Sequence, residues 1–128
     1  MKKTAARRRG AKKPTLVLKF GGELLEQPQD LESSAKAIAK LAQHASLVVV
    51  HGGGREIDAA LNTAGIPKQQ VDGLRVTDAR TLDVVVSVLA GAINTRLVAA
   101  VRRAGANPVG LTGADATVAT MKRAAPIL

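Results

Sequence analysis

Ser46-Leu47-Val48-Val49-Val50-His51, running directly into Gly52-Gly53-Gly54, is the stretch on which the fold turns. An unbroken run of β-branched and aliphatic residues, stopped by glycine, reads as a strand buried on both faces of a parallel sheet. Ile57, Ala60, Leu61 and Ala64 then share one helical face, with Gly65 as C-cap and Pro67 as stop. Upstream the same pattern occurs once more. Thr15-Leu16-Val17-Leu18-Lys19-Phe20 reads as a buried strand closed by Gly21-Gly22. Asp30 offers a helix N-cap, and Leu31, Ala35, Ile38, Leu41 and Ala45 recur at steps of three and four, so a helix is expected over about 31–44. Strand–helix–strand–helix is the pattern of a right-handed parallel crossover in an α/β fold. Both strands end in glycine turns, and open α/β sheets bind ligands outside the carboxyl ends of their strands. The two turns should therefore sit side by side on one edge of the sheet.

Downstream, residues 71–76 read as short extended structure around Asp72-Gly73, a turn or hairpin signal. Thr77 or Asp78 caps a long helix to about Arg103, closed by Gly105. Leu82, Val85, Leu89, Ile93, Leu97 and Val101 form its apolar stripe, and Val84, Val86, Val88 and Ala90 widen it. A helix apolar on most sides is deeply buried or shared with a second subunit. Gly91 in its interior points to close packing there. Pro108-Val109-Gly110-Leu111-Thr112 reads as a third core strand before Gly113-Ala114-Asp115, and residues 117–122 as one more.

Composition bounds the rest. The chain has 128 residues, enough for one domain with its own core. It has no cysteine, which excludes disulfides, thiolate metal sites and a cysteine nucleophile. Apolar residues make up 46% and mean hydropathy is +0.08, against bulk disorder. One Phe, no Tyr and no Trp argue against single-stranded nucleic-acid binding, which relies on stacking of bases on aromatic side chains. The net charge of +9 is uneven: residues 1–13 hold seven basic side chains and no acid, while the remainder carries 12 basic and 10 acidic residues. The expectation is a disordered basic arm over 1–13 ahead of a nearly balanced domain over 14–128, with no nucleic-acid partner. No unbroken apolar run approaches the ~18–20 residues of a membrane span. No apolar segment of a secretory signal follows the arm, so no membrane partner and a cytoplasmic location are expected.

Glycine after a strand and before a helix leaves backbone N–H groups pointing outward with no side chain in the way, a natural cradle for phosphate or carboxylate. Two such turns together could hold two anionic groups. Lys19, in an otherwise apolar strand, is costly unless its ammonium reaches an anion or snorkels to solvent at the strand end. Arg75 could fork onto a carboxylate, or be an ordinary surface charge. His51 reads as a packing or backbone-bonding histidine, and Asp115 as a turn former. G-x-x-x-x-G-K-[ST] is absent, and Gly52-Gly53-Gly54-Arg55 does not extend to G-x-G-x-x-G. No serine nucleophile elbow and no histidine pair at metal spacing occurs.

Val17-Leu18-Lys19-Phe20-Gly21-Gly22, Val48-Val49-Val50-His51-Gly52-Gly53-Gly54 and Gly73-Leu74-Arg75-Val76-Thr77, in that order, resemble the amino-acid kinase family. The Thr81-Leu82-Asp83-Val84-Val85 helix with Leu89-Ala90-Gly91 and Asn94, and the Gly110-Leu111-Thr112-Gly113-Ala114-Asp115 turn, are similar too, so the resemblance spans about 15–121. It implies an open three-layer αβα sandwich with a mainly parallel central sheet, here truncated. It implies ATP with Mg²⁺ as co-substrate and N-acetyl-L-glutamate as acceptor, phosphorylated on its side-chain carboxylate. It implies Lys19 as the catalytic charge on the transferring phosphoryl group, Gly21, Gly22 and Gly52 as phosphate-binding, and Gly53, Gly54 and Arg75 as substrate-binding, with no metal ligand. It also implies a homodimer or higher homo-oligomer through the helix about 79–103. Family members are about twice this long, so 14–128 is expected to be the acid-binding, dimerising part, inactive alone, with the ATP-binding half missing. The alternatives are a non-catalytic carboxylate-binding or dimerisation module, or a kinase for a related acid such as acetylaminoadipate or aspartate.

Overall fold

The structure, a computed structural model, describes residues 13–120. The basic arm expected over 1–13 lies, except for Lys13, outside the described residues, as do residues 121–128. Strand β1 (Thr15–Phe20) leads into a single-turn helix α1 (Glu23–Glu26) and then α2 (Pro28–Ala42). Strand β2 (Ser46–His51) leads into α3 (Gly54–Thr63). A small hairpin follows, β3 (Gln70–Val71) and β4 (Leu74–Arg75), and then α4 (Ala79–Val86) and α5 (Asn94–Arg103), joined by a π-helical stretch (Ser87–Ile93).

β1 and β2 pair in parallel, with Thr15 opposite Ser46 and Phe20 opposite His51, so the expected crossover is present. Side chains alternate across a strand, and here only one face is covered. Phe20, Leu47 and Val49 pack on the helical core, whereas Val17, Val48 and Val50, on the other face, are 48–68% exposed. The expectation of strands buried on both faces thus fails among the described residues. The α/β class with parallel strands stands.

Two further strand expectations fail. Pro108-Val109-Gly110-Leu111-Thr112 has no strand partner among the described residues, where Val109 and Leu111 stay exposed. β-branched composition favours a strand only where a ladder is on offer, and neither edge of the two-stranded sheet receives this segment. Of residues 117–122, the described part is the end of a 3₁₀ turn (Asp115–Thr117) and irregular chain, with 121 and 122 outside the described residues. Helix α2 also starts earlier than expected: Pro28 takes the first helical position and Gln27 the cap, so Asp30 falls in the first turn, where its charge suits the helix dipole.

Local chemistry elsewhere acts as expected. Asp72 and Gly73 both take positive φ, the requirement of the tight primed turn that joins β3 to β4. Gly65 and Gly105 take positive φ after α3 and α5. The Asp78 carboxylate caps α4 by accepting from the Thr81 N–H at 2.8 Å. The 25-residue Ala79–Arg103 helix is long and apolar enough, by length and composition, to cross a bilayer. Here it supplies Val88, Ile93, Leu97, Ala100 and Val101 to a single core with Leu25, Leu31, Ala35, Ile38, Ile57 and Leu61. Gly91 is exposed and nothing lies within 4 Å of where its Cβ would be, so the close packing expected there is absent among the described residues.

Candidate functional site

Parallel pairing brings the two glycine turns together because both strands end level with one another. Gly52 N–H donates to the Phe20 carbonyl at 3.3 Å, carrying the ladder one step past the strands. A Cβ on Gly22 would lie 3.0 Å from Gly53 Cα and 3.1 Å from Gly53 N. The turns are therefore in backbone contact at one end of the sheet, and the first can be made only of glycine without pushing the second away.

Behind the second turn stands the long helix. A Cβ on Gly53 would fall 2.1 Å from Ile93 Cδ1 and 3.1 Å from Leu89 Cδ2, both presented by the π-helical stretch. Ile93 is completely buried. Widened helical turns of this kind recur at functional sites, and this one seats the helix against the turn. Gly52 and Gly54 are different: a Cβ there would meet nothing within 4 Å, and neither needs a left-handed backbone. Packing among the described residues does not demand glycine at these two positions, and their bare backbone is open to an incoming group.

The charged candidates fall in different places. Lys19 pairs with Val50 in the ladder, shares the open face with Val17 and Val48, and has no hydrogen-bond or ion-pair partner among the described residues. Arg75 lies in β4 with its side chain only 16% exposed. One of its amino groups, Nη2, donates to Asp58 Oδ1, while the other, Nη1, is buried without a partner among the described residues. Lys68 Nζ donates to the second oxygen, Asp58 Oδ2, at 2.7 Å. These two cations, Lys68 foremost, hold the Asp58 carboxyl below the usual carboxylate range. His51 is half-buried and its Nδ1 lies 3.3 Å from the Gly52 carbonyl, the backbone-bonding role expected of it. Asp115 shapes its turn by accepting from the N–H and hydroxyl of Thr112. At the first turn the Glu23 carboxylate folds back over Gly21, into the space a Cβ would take; Glu23 is exposed and can swing away.

Two partnerships escaped the sequence reading. Asp58 is one. The other is Arg96, which donates to Glu56 Oε1 at 2.6 Å and Oε2 at 3.3 Å, and to the Leu25 carbonyl at 3.1 Å. It ties α5 to the first turn of α3 and to α1, the two helices that the glycine turns open. Arg55 adds a contact across the same gap, to Glu26 at 3.2 Å. Glu56 and Asp58 sit at polar positions of an amphipathic helix, where nothing in spacing distinguishes a buried partner from a solvated charge.

Residues 14–127 match the amino acid kinase family. An acetylglutamate kinase of Rhodopseudomonas palustris is 41% identical over 111 residues, covering 86% of this chain and 37% of that protein. The acetylglutamate kinase of Rhodospirillum rubrum is 45% identical over 102 residues, 79% of this chain and 33% of that protein. Among solved structures, N-acetylglutamate synthase from Neisseria gonorrhoeae, complexed with coenzyme A and N-acetylglutamate, superposes with a TM-score of 0.62 at 32% identity, over 73% of this chain and 22% of that one. The chain thus spans little more than a third of the curated kinases it matches.

Proposed function

The chain belongs to the amino acid kinase family, and from that premise we propose that it carries the acid-binding and phosphate-cradling part of an ATP-dependent kinase for N-acetyl-L-glutamate. The contact between the two glycine turns, backbone on backbone at the strand ends, is the observation that carries the reading. In this reading it offers two adjacent stretches of glycine backbone, one to the nucleotide's phosphates and one to the group in flight.

In this reading the side-chain carboxylate of the acid attacks the γ-phosphorus of ATP. The new bond is carboxylate oxygen to phosphorus; the bond that breaks joins that phosphorus to the β–γ bridging oxygen, and its electron pair leaves with ADP. No protein nucleophile is required, so catalysis reduces to positioning and charge neutralisation. Lys19, whose ammonium has no partner among the described residues, stands two residues before Gly21 and would meet the charge on the transferring group. Gly21, Gly22 and Gly52 would line the phosphates, Gly53 and Gly54 the acid's reacting end, and Arg75 its α-carboxylate. Mg²⁺ would enter with ATP as the nucleotide's companion cation. A cytoplasmic setting and production of an intermediate of arginine biosynthesis go with this substrate. Pairing of two copies through the helix about 79–103 belongs to the same proposal, favoured by the exposed Leu82 and Val86 and the open surface at Gly91.

The test is binding of N-acetyl-L-glutamate to the 128-residue chain, followed by amide chemical shifts. Shifts concentrated at Gly52, Gly53, Gly54 and around Arg75, and lost in Arg75→Ala, support the reading. Equal binding by wild type and Arg75→Ala refutes it. Acyl phosphate trapped with hydroxylamine is expected to be absent from the chain alone.

A further inference from the structure

We infer that Asp58 is a positioning residue for the acid site: it grips Arg75 by one amino group and so aims the other, Nη1, at the substrate's α-carboxylate. The inference rests on the proposed role of Arg75 and adds a residue to it.

The hairpin that carries Arg75 has strands of two residues each, and Val71, Leu74 and Val76 are 42–69% exposed. Ribbons this short do not hold a geometry by themselves. The Arg75 guanidinium is nevertheless only 16% exposed, because Asp58 draws it down against α3. Lys68, just ahead of β3, binds the other oxygen of the same carboxylate. Asp58 therefore clasps the hairpin at its entry and on its return strand. It stands four residues, about one helical turn, after Gly54, on the helix that the second glycine turn opens. One rigid path runs from the glycine backbone through α3 to the guanidinium.

Chemistry points the same way. Asp58 accepts from Lys68 on one oxygen and from Arg75 Nη2 on the other, so it holds the guanidinium by one amino group alone. Arg75 Nη1 remains, buried and without a partner among the described residues, and a buried donor left unmade is costly. One acid between two bases also leaves a surplus positive charge. Lys68 is exposed enough for water to serve it; Arg75 is not. A single carboxylate at Nη1 would satisfy both the donor and the charge.

The experiment compares two ligands on the full chain by NMR titration: N-acetyl-L-glutamate, and 4-acetamidobutanoate, which keeps the acetamide and the reacting carboxylate but lacks the α-carboxylate. Wild type is expected to prefer the first at least tenfold. Asp58→Asn should erase most of that preference while leaving the affinity for 4-acetamidobutanoate within about twofold, and Asp58→Glu should recover part of it. If Asp58→Asn weakens both ligands equally, or keeps the full preference, Asp58 does not position Arg75 and the inference is overturned while the role of Arg75 stands. If wild type shows no preference, or binds neither ligand, the role of Arg75 itself fails and takes this inference with it. Should Asp58→Asn not fold, the Arg75 guanidinium signals of the wild-type chain decide: slow rotation before ligand and a shift with N-acetyl-L-glutamate alone support the clasp, and free rotation overturns it.

Discussion

Replacing Gly53 by alanine isolates the contact that seats the long helix behind the second glycine turn. Gly53 has φ 179°, an extended value any residue adopts, so the added methyl brings no left-handed strain. What it brings is a Cβ 2.1 Å from Ile93 Cδ1 and 3.1 Å from Leu89 Cδ2. Cδ1 is a terminal methyl, but Ile93 is fully buried and must swing into a filled core. Overpacking of this kind costs about 1–3 kcal/mol; taking about 2 kcal/mol and roughly 4 °C per kcal/mol for a domain of this size, Tm should fall by about 8 °C. Ile93→Val deletes the offending Cδ1 and alone should cost about 1 kcal/mol. In the Gly53→Ala background it should cost nothing or restore stability, a coupling of about 1 kcal/mol or more. Leu89 is untouched, so the rescue should be partial. Thermal and urea unfolding followed by circular dichroism on the four proteins give the cycle. Additivity within about 0.5 kcal/mol would refute the claim that the helix bears directly on Gly53.

Gly22→Ala should be worse for binding than for stability, since its Cβ would meet Gly53 backbone that cannot rotate away; nucleotide phosphate binding should be lost and Tm lowered, as titration and melting would show. Arg96→Met keeps the apolar stem but strips donors from Glu56 and the Leu25 carbonyl; a loss of about 1–2 kcal/mol is expected, partly recovered by adding Glu56→Gln, with chemical denaturation as the readout. The Thr81 N–H holds the Asp78 carboxyl below its ordinary value, and Asp58 and Asp115 are lowered too by their own donors. These groups take up protons less readily folded than unfolded, so their stabilisation is whole above about pH 4 and drains away as pH falls through the lower folded values. Asp78→Ala should accordingly lower Tm at pH 7 and match wild type near pH 2, which melting across pH would reveal.

Much of the fold was legible where residues interact within a few positions. Asp72-Gly73 specified its turn, Asp78 its cap, Gly65 and Gly105 their helix ends, and the glycine runs ended both strands. Legibility stopped where an element depends on a distant partner. Among the described residues, Pro108-Val109-Gly110-Leu111-Thr112 has the composition of a core strand and no ladder to join, and Val48 and Val50 have that of a doubly buried strand with one face uncovered. At the site, the adjacency of the glycine turns follows from parallel crossover geometry alone. The partners of Arg75 and Arg96 did not follow.

By itself, then, the amino-acid order determined the alternation of strand and helix, the turns, and the placing of both glycine runs at the carboxyl ends of parallel strands, because each depends on periodicity and on bonds spanning a few residues. Only the tertiary structure decided that Gly53 abuts Ile93, that Asp58 clasps Arg75 across 17 positions, and that Arg96 reaches Leu25 across 71. Those contacts depend on how packed helices are offset against one another, and a chain with 19 cations and 10 acids offers many pairings of equal spacing, among which burial alone selects.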